Sequence, residues 1–458
     1  ACSLCHNTTA ANNTAVGLCA LHENTTGAEN SAVGRGSLGV NTTGCRNTAM
    51  GLNALGANIS GECNTAISRG ALAANTTASN NVAVGHNALV ANTTGAVNTA
   101  VGSQALFSNT TGCCNVSVGG DNMYNNTTGI RNVSIGKNTL EANTTASCNT
   151  AVGFSAMAAN TTGSLNTAIG KDSLKTNTTG EQNTGLGHAA LDDNTTGNNN
   201  TAVGAASLFK NTTGYANTAV GLIALCLNTT GVNNTAFGCA ALRDNTTAVE
   251  NTAVGRNALL KNTTGANNTA VGADALDLST TGAENVSIGS AAHGAAQTGS
   301  CNTAVGRSAG GNVTTGSNNT TVGYESGTDA VRTINSGNNE IVIGNNSNVG
   351  AYIKIDWTVT SDLRDKMNIE NVPYGLNFVN QLNPIKYNFK KSREDATSHG
   401  RKRFGFKAQE ILALEGENPV LVDNEDTDNL KLTGAYLLPV LVNAIKELKA
   451  EIDLLKNK

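Results

Sequence analysis

Apolar residues recur along roughly the first 325 positions in columns that repeat every 17 residues, separated by asparagine, threonine and glycine. Val16, Val33, Met50, Ile67, Val84 and Val101 form one column, and Ala15, Ala32, Ala49 and Ala66 form the one before it. Leu21, Leu38, Leu55 and Leu72 form a third. The polar positions keep the same step. Asn-Thr-Thr opens at Asn7, Asn24, Asn41, Asn75 and onward to Asn262, while Asn58 and Ser279 hold the register and degenerate copies at Ala296 and Val313 complete nineteen. A second asparagine column runs from Asn13 to Asn319 without exception, and a glycine column from Gly17 to Gly323 is broken only by Ser68. The consensus is N-T-T-G-x-x-N-T-A-V-G-x-x-A-L-x-x.

A period this rigid is what stacked rungs demand, because each residue must sit above its counterpart in the next coil. The N-T-A-V-G segment predicts a short strand and N-T-T-G a turn, since asparagine and glycine both tolerate positive φ. Neighbours in a strand point to opposite faces, so the Ala15 and Val16 columns must diverge. The leucine column can cover one face, and the chain has no spare segment to cover the other. The pattern therefore predicts a mostly β fold, a 17-residue-repeat β-solenoid or β-roll shaft whose second wall is another copy of the chain. The small alanines are expected at the symmetry axis. Nineteen rungs at about 4.8 Å each would extend on the order of 90 Å.

Composition narrows the picture. Aromatics are 3% and charged residues 14% of the chain, too few large side chains for a thick globular core. Valine, isoleucine and leucine recur steadily and the net charge is only −4, unlike a disordered chain. That balance offers no basic footprint for nucleic acid, and no run approaches the roughly 20 apolar residues of a membrane span. The eleven cysteines are odd in number and irregularly spaced, with no paired CxxC. Cys45, Cys63, Cys113, Cys114, Cys148 and Cys301 read as space-filling thiols of a chain assembled in a reducing cytoplasm. His22, His86, His188 and His293 fall in different rungs, and Glu23, Asp121, Glu141 and Asp274 form no repeated carboxylate pair. No cofactor, metal site or activity is expected in the repeats. Each Asn-Thr-Thr, and Asn58-Ile-Ser, is formally an N-glycosylation acceptor (Asn7, Asn24, Asn41, Asn58, Asn75, Asn92), a role that competes with turns and hydrogen-bonded ladders. Leu4 already occupies the leucine column, so the chain begins inside a repeat and the natural N-terminus is expected further upstream.

The strand is similar to the repeat of trimeric autotransporter head domains, which are β-rolls trimerised about their long axis. The longer N-T-T-G…N-T-A-V-G-x-x-A-L pattern looks still more like repeats of phage tail fibres. Periodicity fails after Ser326, and Glu340-Ile-Val-Ile-Gly and Tyr352-Ile-Lys-Ile-Asp-Trp read as short strands closing the shaft. From Ser361 the chain becomes rich in Lys, Arg, Glu and Asp and carries all four prolines, which predicts a mixed α/β domain. The expected divisions are a shaft over 1–328, a β transition over 329–360 and the C-terminal domain over 361–458, with a helix at about 439–456.

Ser361-Asp-Leu-Arg-Asp-Lys366-Met-Asn-Ile, Leu382-Asn-Pro-Ile-Lys-Tyr-Asn-Phe, Phe404-Gly-Phe-Lys-Ala-Gln-Glu410 and Asn418-Pro-Val-Leu-Val422 follow in order. This succession resembles the intramolecular chaperone domain of phage tailspikes and endosialidases. The resemblance implies a homotrimeric fibre, a domain that drives its trimerisation, and self-cleavage by a Ser–Lys dyad matching Ser361 and Lys366, cutting between Thr360 and Ser361. Lysine serves as the base only when burial or nearby cations lower its pKa; Arg364 would help, and Asp362 and Asp365 would oppose. The competing reading makes Ser361 a helix cap with acids in the first turn. Leu441, Ile445, Leu448, Ile452 and Leu455, spaced 4, 3, 4, 3, form a two-heptad coiled-coil seam. The expected role is a virion tail fibre attaching to a host-surface receptor or glycan, its sole enzymatic act one cut on itself. The alternative is a secreted, glycosylated bacterial surface filament or adhesin.

Overall fold

The computed structural model describes residues 2–329, 331–348, 352, 354, 360–390, 393, 395–417 and 419–457. Each rung contributes one three-residue strand, from β1 (Thr14–Val16) to β19 (Thr320–Val322), and β20 (Ile341–Ile343) follows. The strands pair in parallel, residue over residue: Thr14, Ala15 and Val16 lie against Ser31, Ala32 and Val33, and the same step reaches Val305 against Val322. The fold is thus the expected 17-residue solenoid, followed by a small α/β unit.

Packing inverts one expectation. The alanines, not the valines, face inward. Ala32, Ala49, Ala66 and Ala83 are fully buried with Leu38, Leu55 and Leu72, and a second alanine column, Ala20, Ala54 and Ala71, closes the interior. A 17-residue coil encloses too little space for two large columns. Leucine takes it, alanine fits beside it, and the branched residue of each strand is turned outward. Val16 is 58% exposed and Phe237 57%, and Met50, Ile135, Ile169 and Leu186 are also exposed. The expectation that alanine approaches a symmetry axis is therefore corrected.

The sharp corners carry backbone strain. Leu21, Leu38, Leu55 and Leu72 sit at φ of 49° to 52°, a left-handed conformation costing a bulky residue about 1–2 kcal/mol. Burying a leucine side chain returns about as much. At Gly17, φ is 130° and a Cβ would lie 2.7 Å from the Gly34 carbonyl carbon, so the glycine column reflects close rung-to-rung approach.

Two buried asparagine ladders bind rung to rung. Asn41 Nδ2 donates to Asn24 Oδ1 at 2.8 Å and to the Gly44 carbonyl at 2.9 Å. In the second ladder, the Asn47 backbone N–H donates to Asn30 Oδ1 at 3.0 Å and its Nδ2 to the Gly61 carbonyl at 2.9 Å. After β19 one longer coil continues the stack. Glu340 takes the asparagine register, its N–H donating to Asn319 Oδ1 at 2.9 Å across 21 residues. Val313, Ile334 and Val342 fill the end of the interior, and Ile334–Val342 groups with the coil.

The second unit, residues 327–333 and 343–458, has its own core. Helix α1 (Leu376–Gln381) packs on α3 (Leu437–Lys456). Between them in sequence come the antiparallel pair β21 (Ile385–Lys390) and β22 (Ser398–Gly405), helix α2 (Ala408–Glu415), and the pair β23 (Val422–Asp423) and β24 (Lys431–Leu432). Phe378, Ile411, Leu421, Val422, Leu437 and Val440 form the core. The Leu376 N–H donates to Glu447 at 2.6 Å, and Asn443 Nδ2 to the Tyr374 carbonyl at 3.0 Å. The Glu415 carboxylate accepts the backbone N–H groups of Val420, Leu421 and Val422 at 2.8, 2.8 and 3.0 Å. The strand expected at 352–357 lies mostly outside the described residues.

Two stability effects follow. His293 stands in the leucine column, buried, with Nδ1 2.8 Å from Ser287 Oγ and, among the described residues, no partner for Nε2. Burial disfavours its charged form and lowers its pKa to about 4. An unfolded histidine titrates near 6.5, so between these values the unfolded chain binds the proton better. The contribution is intact above about pH 6.5 and is lost as pH falls toward 4, bounded by about 3 kcal/mol. His293→Leu should flatten that decline, read as unfolding midpoints against pH. In the second unit, Glu415→Ala should destabilise by about 2 kcal/mol, because three N–H groups lose a charged acceptor. Glu415→Gln should lose less, measured by denaturant unfolding of the full chain.

Candidate functional site

A local turn brings Ser361 and Lys366 together. Leu363–Asp365 form a single 3-10 turn, and the Lys366 N–H donates to the Leu363 carbonyl at 3.2 Å, reversing the chain. The lysine side chain thereby reaches back, and its Nζ donates to Ser361 Oγ at 2.7 Å. Asp362, rather than Ser361, caps the turn, accepting the Arg364 N–H at 2.9 Å. The serine hydroxyl is thus left to the lysine. The Arg364 guanidinium lies 2.6 Å from the same carboxylate and holds it below the usual carboxylate range. Its charge is spent on Asp362, and among the described residues Lys366 has no carboxylate partner. Arg364 and Asp362 are thus engaged with each other and not with the lysine.

A nucleophile and a potential base in hydrogen-bond reach are the minimum for an activated serine. Thr360, Ser361 and Lys366 are all exposed in the single chain. An amine becomes a base when water is removed from its charged form, so this geometry supplies the contact and leaves the desolvation to be provided. Residues 355–359, just upstream of Thr360, lie outside the described residues.

The face of α3 that carries the heptad residues is unpartnered. Leu437, Val440 and Ala444 are buried on its inner face, whereas Leu441, Ile445, Leu448, Ile452 and Leu455 are exposed, Ile445 by 65%. The seam is not the core of the single chain. A cavity of about 270 Å³ lined by Val372, Pro373, Leu421 and Val440 is apolar and brings no carboxylate, imidazole or amine together.

The glycosylation acceptors fall elsewhere. Asn24, Asn41, Asn58, Asn75 and Asn92 are fully buried, each Nδ2 donating to the asparagine one rung before and to a carbonyl three residues on. A glycan on any of these would have to break both bonds and open the coil; Asn7 alone of the six is exposed. Stacking also gathers residues that sequence spacing had set apart: the ligand atoms of Cys2, Cys5 and His22 lie within 4.8 Å of one another. The signal was the period itself, since Cys5 and His22 are 17 residues apart.

Among curated proteins no sequence matches the chain. Residues 361–420, which begin at the serine of this dyad, match the family described as the chaperone of endosialidase.

Proposed function

We propose that the chain is a subunit of a homotrimeric fibre whose C-terminal unit directs assembly of the coil and then releases itself by cutting between Thr360 and Ser361. One observation carries the reading: the outward apolar column, from Val16 to Val322, which continues through every rung of the coil. An apolar stripe of that length is a binding surface, and its fixed step matches that of an identical chain and little else. Nineteen nearly equivalent rungs also pair equally well when slipped by one, so a separate device must set the starting register. The unpartnered heptad face of α3 suits that task, and the family match at 361–420 supports it.

The same assembly supplies what the dyad lacks. Chains closing over Lys366 strip water from its ammonium and favour the neutral amine. Ser361 Oγ then attacks the Thr360 carbonyl carbon, its proton passing to Lys366 Nζ. The bond to the Ser361 nitrogen breaks as that nitrogen takes the proton, leaving an ester that water opens to a Thr360 carboxylate and a free Ser361. Cutting is thereby tied to completed assembly. A fibre of this kind, mounted on a virion tail and contacting a host-surface receptor or glycan, is the role these features fit best.

Placing carboxylates in the stripe, as in Ile135→Asp with Ile169→Asp, should block trimer formation while leaving the coil's circular dichroism intact. Analytical ultracentrifugation reads the outcome, and an unchanged trimer would refute the stripe as the interface. Wild-type trimers should yield a fragment whose N-terminus is Ser361. Ser361→Ala should abolish cutting with trimers retained, and Lys366→Ala should slow it by at least 100-fold, the scale of general-base catalysis. Denaturing electrophoresis with N-terminal sequencing decides this, and uncut chain in mature wild-type particles would remove the peptidase role.

A further inference from the structure

We propose that the first two rungs form a thiol-gated site for a zinc-class divalent metal ion, with Cys2, Cys5 and His22 as ligands. The site is a product of stacking. Cys5 and His22 occupy the same position in successive rungs, and His6 and Glu23 occupy the next. The ligand atoms of Cys2, Cys5 and His22 lie within 4.8 Å of one another, and those of His6, His22 and Glu23 meet the same limit. Around a tetrahedral zinc ion, sulfur and nitrogen ligands stand about 3.5–4 Å apart, a spacing the Cys2 and Cys5 sulfurs reach by separating once the bond between them is cut.

The surroundings favour the ion as well. His22 Nδ1 lies 2.8 Å from Glu23 Oε1, which occupies that nitrogen and leaves Nε2 to ligate. Metal-bound histidines commonly hand their second nitrogen to a carboxylate in this way. His6 Nδ1 lies 3.2 Å from the other Glu23 oxygen and 3.1 Å from the His22 carbonyl, and its ring packs edge-on to His22 at 5.0 Å. Two thiolates with imidazole select zinc-like ions over magnesium or calcium.

Cys2 and Cys5 are joined as a disulfide, which has no thiolate to offer. A dithiol reductant delivers two electrons and two protons to that bond and is itself oxidised to a disulfide. The freed thiols then ligate as thiolates, releasing both protons to solvent. The corner is thus held by a sulfur–sulfur bond under oxidising conditions and by a metal ion under reducing ones. This inference is independent of the proposed cut, which lies at the other end of the chain's sequence.

The test uses the full chain, reduced with a phosphine and titrated with cobalt(II) under anaerobic conditions. Reduced wild type should bind one cobalt per chain, with thiolate-to-metal charge transfer and the visible bands of a tetrahedral ion. The oxidised chain should show neither. His22→Ala keeps all eleven cysteines and should weaken binding at least tenfold. Cys5→Ser should abolish the tetrahedral spectrum, and Cys239→Ser should leave it unchanged. A reduced wild type without that spectrum, or undiminished binding in His22→Ala, would overturn the site.

Discussion

A primary amide buried away from water must find partners for its two donors and its carbonyl oxygen, and here they lie one rung away or three residues on in the same turn. Asn41 bonds to Asn24 and to Gly44, and Asn47 takes Asn30 through both its backbone and its side chain. Shifting a rung by a single residue would bury several such groups unpaired in each coil, at about 1–3 kcal/mol apiece. The ladders thus hold the nineteen rungs to one length, and from that the rest follows. A coil held to 17 residues has an apolar interior mostly of leucine and alanine, bends through left-handed leucines, and turns its branched column to the outside.

Where the ladder changes, its logic remains visible. The last coil is longer by four residues, yet Glu340 still offers its N–H to Asn319, and Val313, Ile334 and Val342 take over the interior. At His293 an imidazole replaces a leucine and recruits Ser287 from the alanine column to bond one nitrogen. A polar replacement in so thin a core needs a partner inside the same rung, and that partner brings a sensitivity to acid with it.

The outward column and the dyad share one physical problem, which is water. The column exposes apolar surface along the coil, and Ser361 with Lys366 sits in solvent. The proposed trimer removes water from both. Under that reading the second unit times its own release by the burial that assembly produces, with no separate switch.

Much of this was legible in the linear chain. A period of 17 with two asparagine columns, the one from Asn13 to Asn319 unbroken, announces stacked coils, because only residue-over-residue packing makes every copy equivalent. The change of composition at Ser361 falls inside the second unit, which already includes residues from 343, and the 4-3-4-3 spacing of Leu441 to Leu455 marks an apolar helix face. The alternation of a strand says that Ala15 and Val16 diverge, but which of them faces inward depends on the space the closed coil leaves, and no local rule measures that volume. The sequons of Asn24 and Asn41 are complete as text, yet their amides are consumed by neighbours 17 residues away. Ser361 and Lys366 are five residues apart in the chain, and their contact needed Asp362 to cap the intervening turn. Cys5 and His22 became neighbours only once rungs were stacked. Periodicity and composition are properties of the chain and determine its architecture, whereas facing, burial and contact between distant side chains are properties of the closed coil.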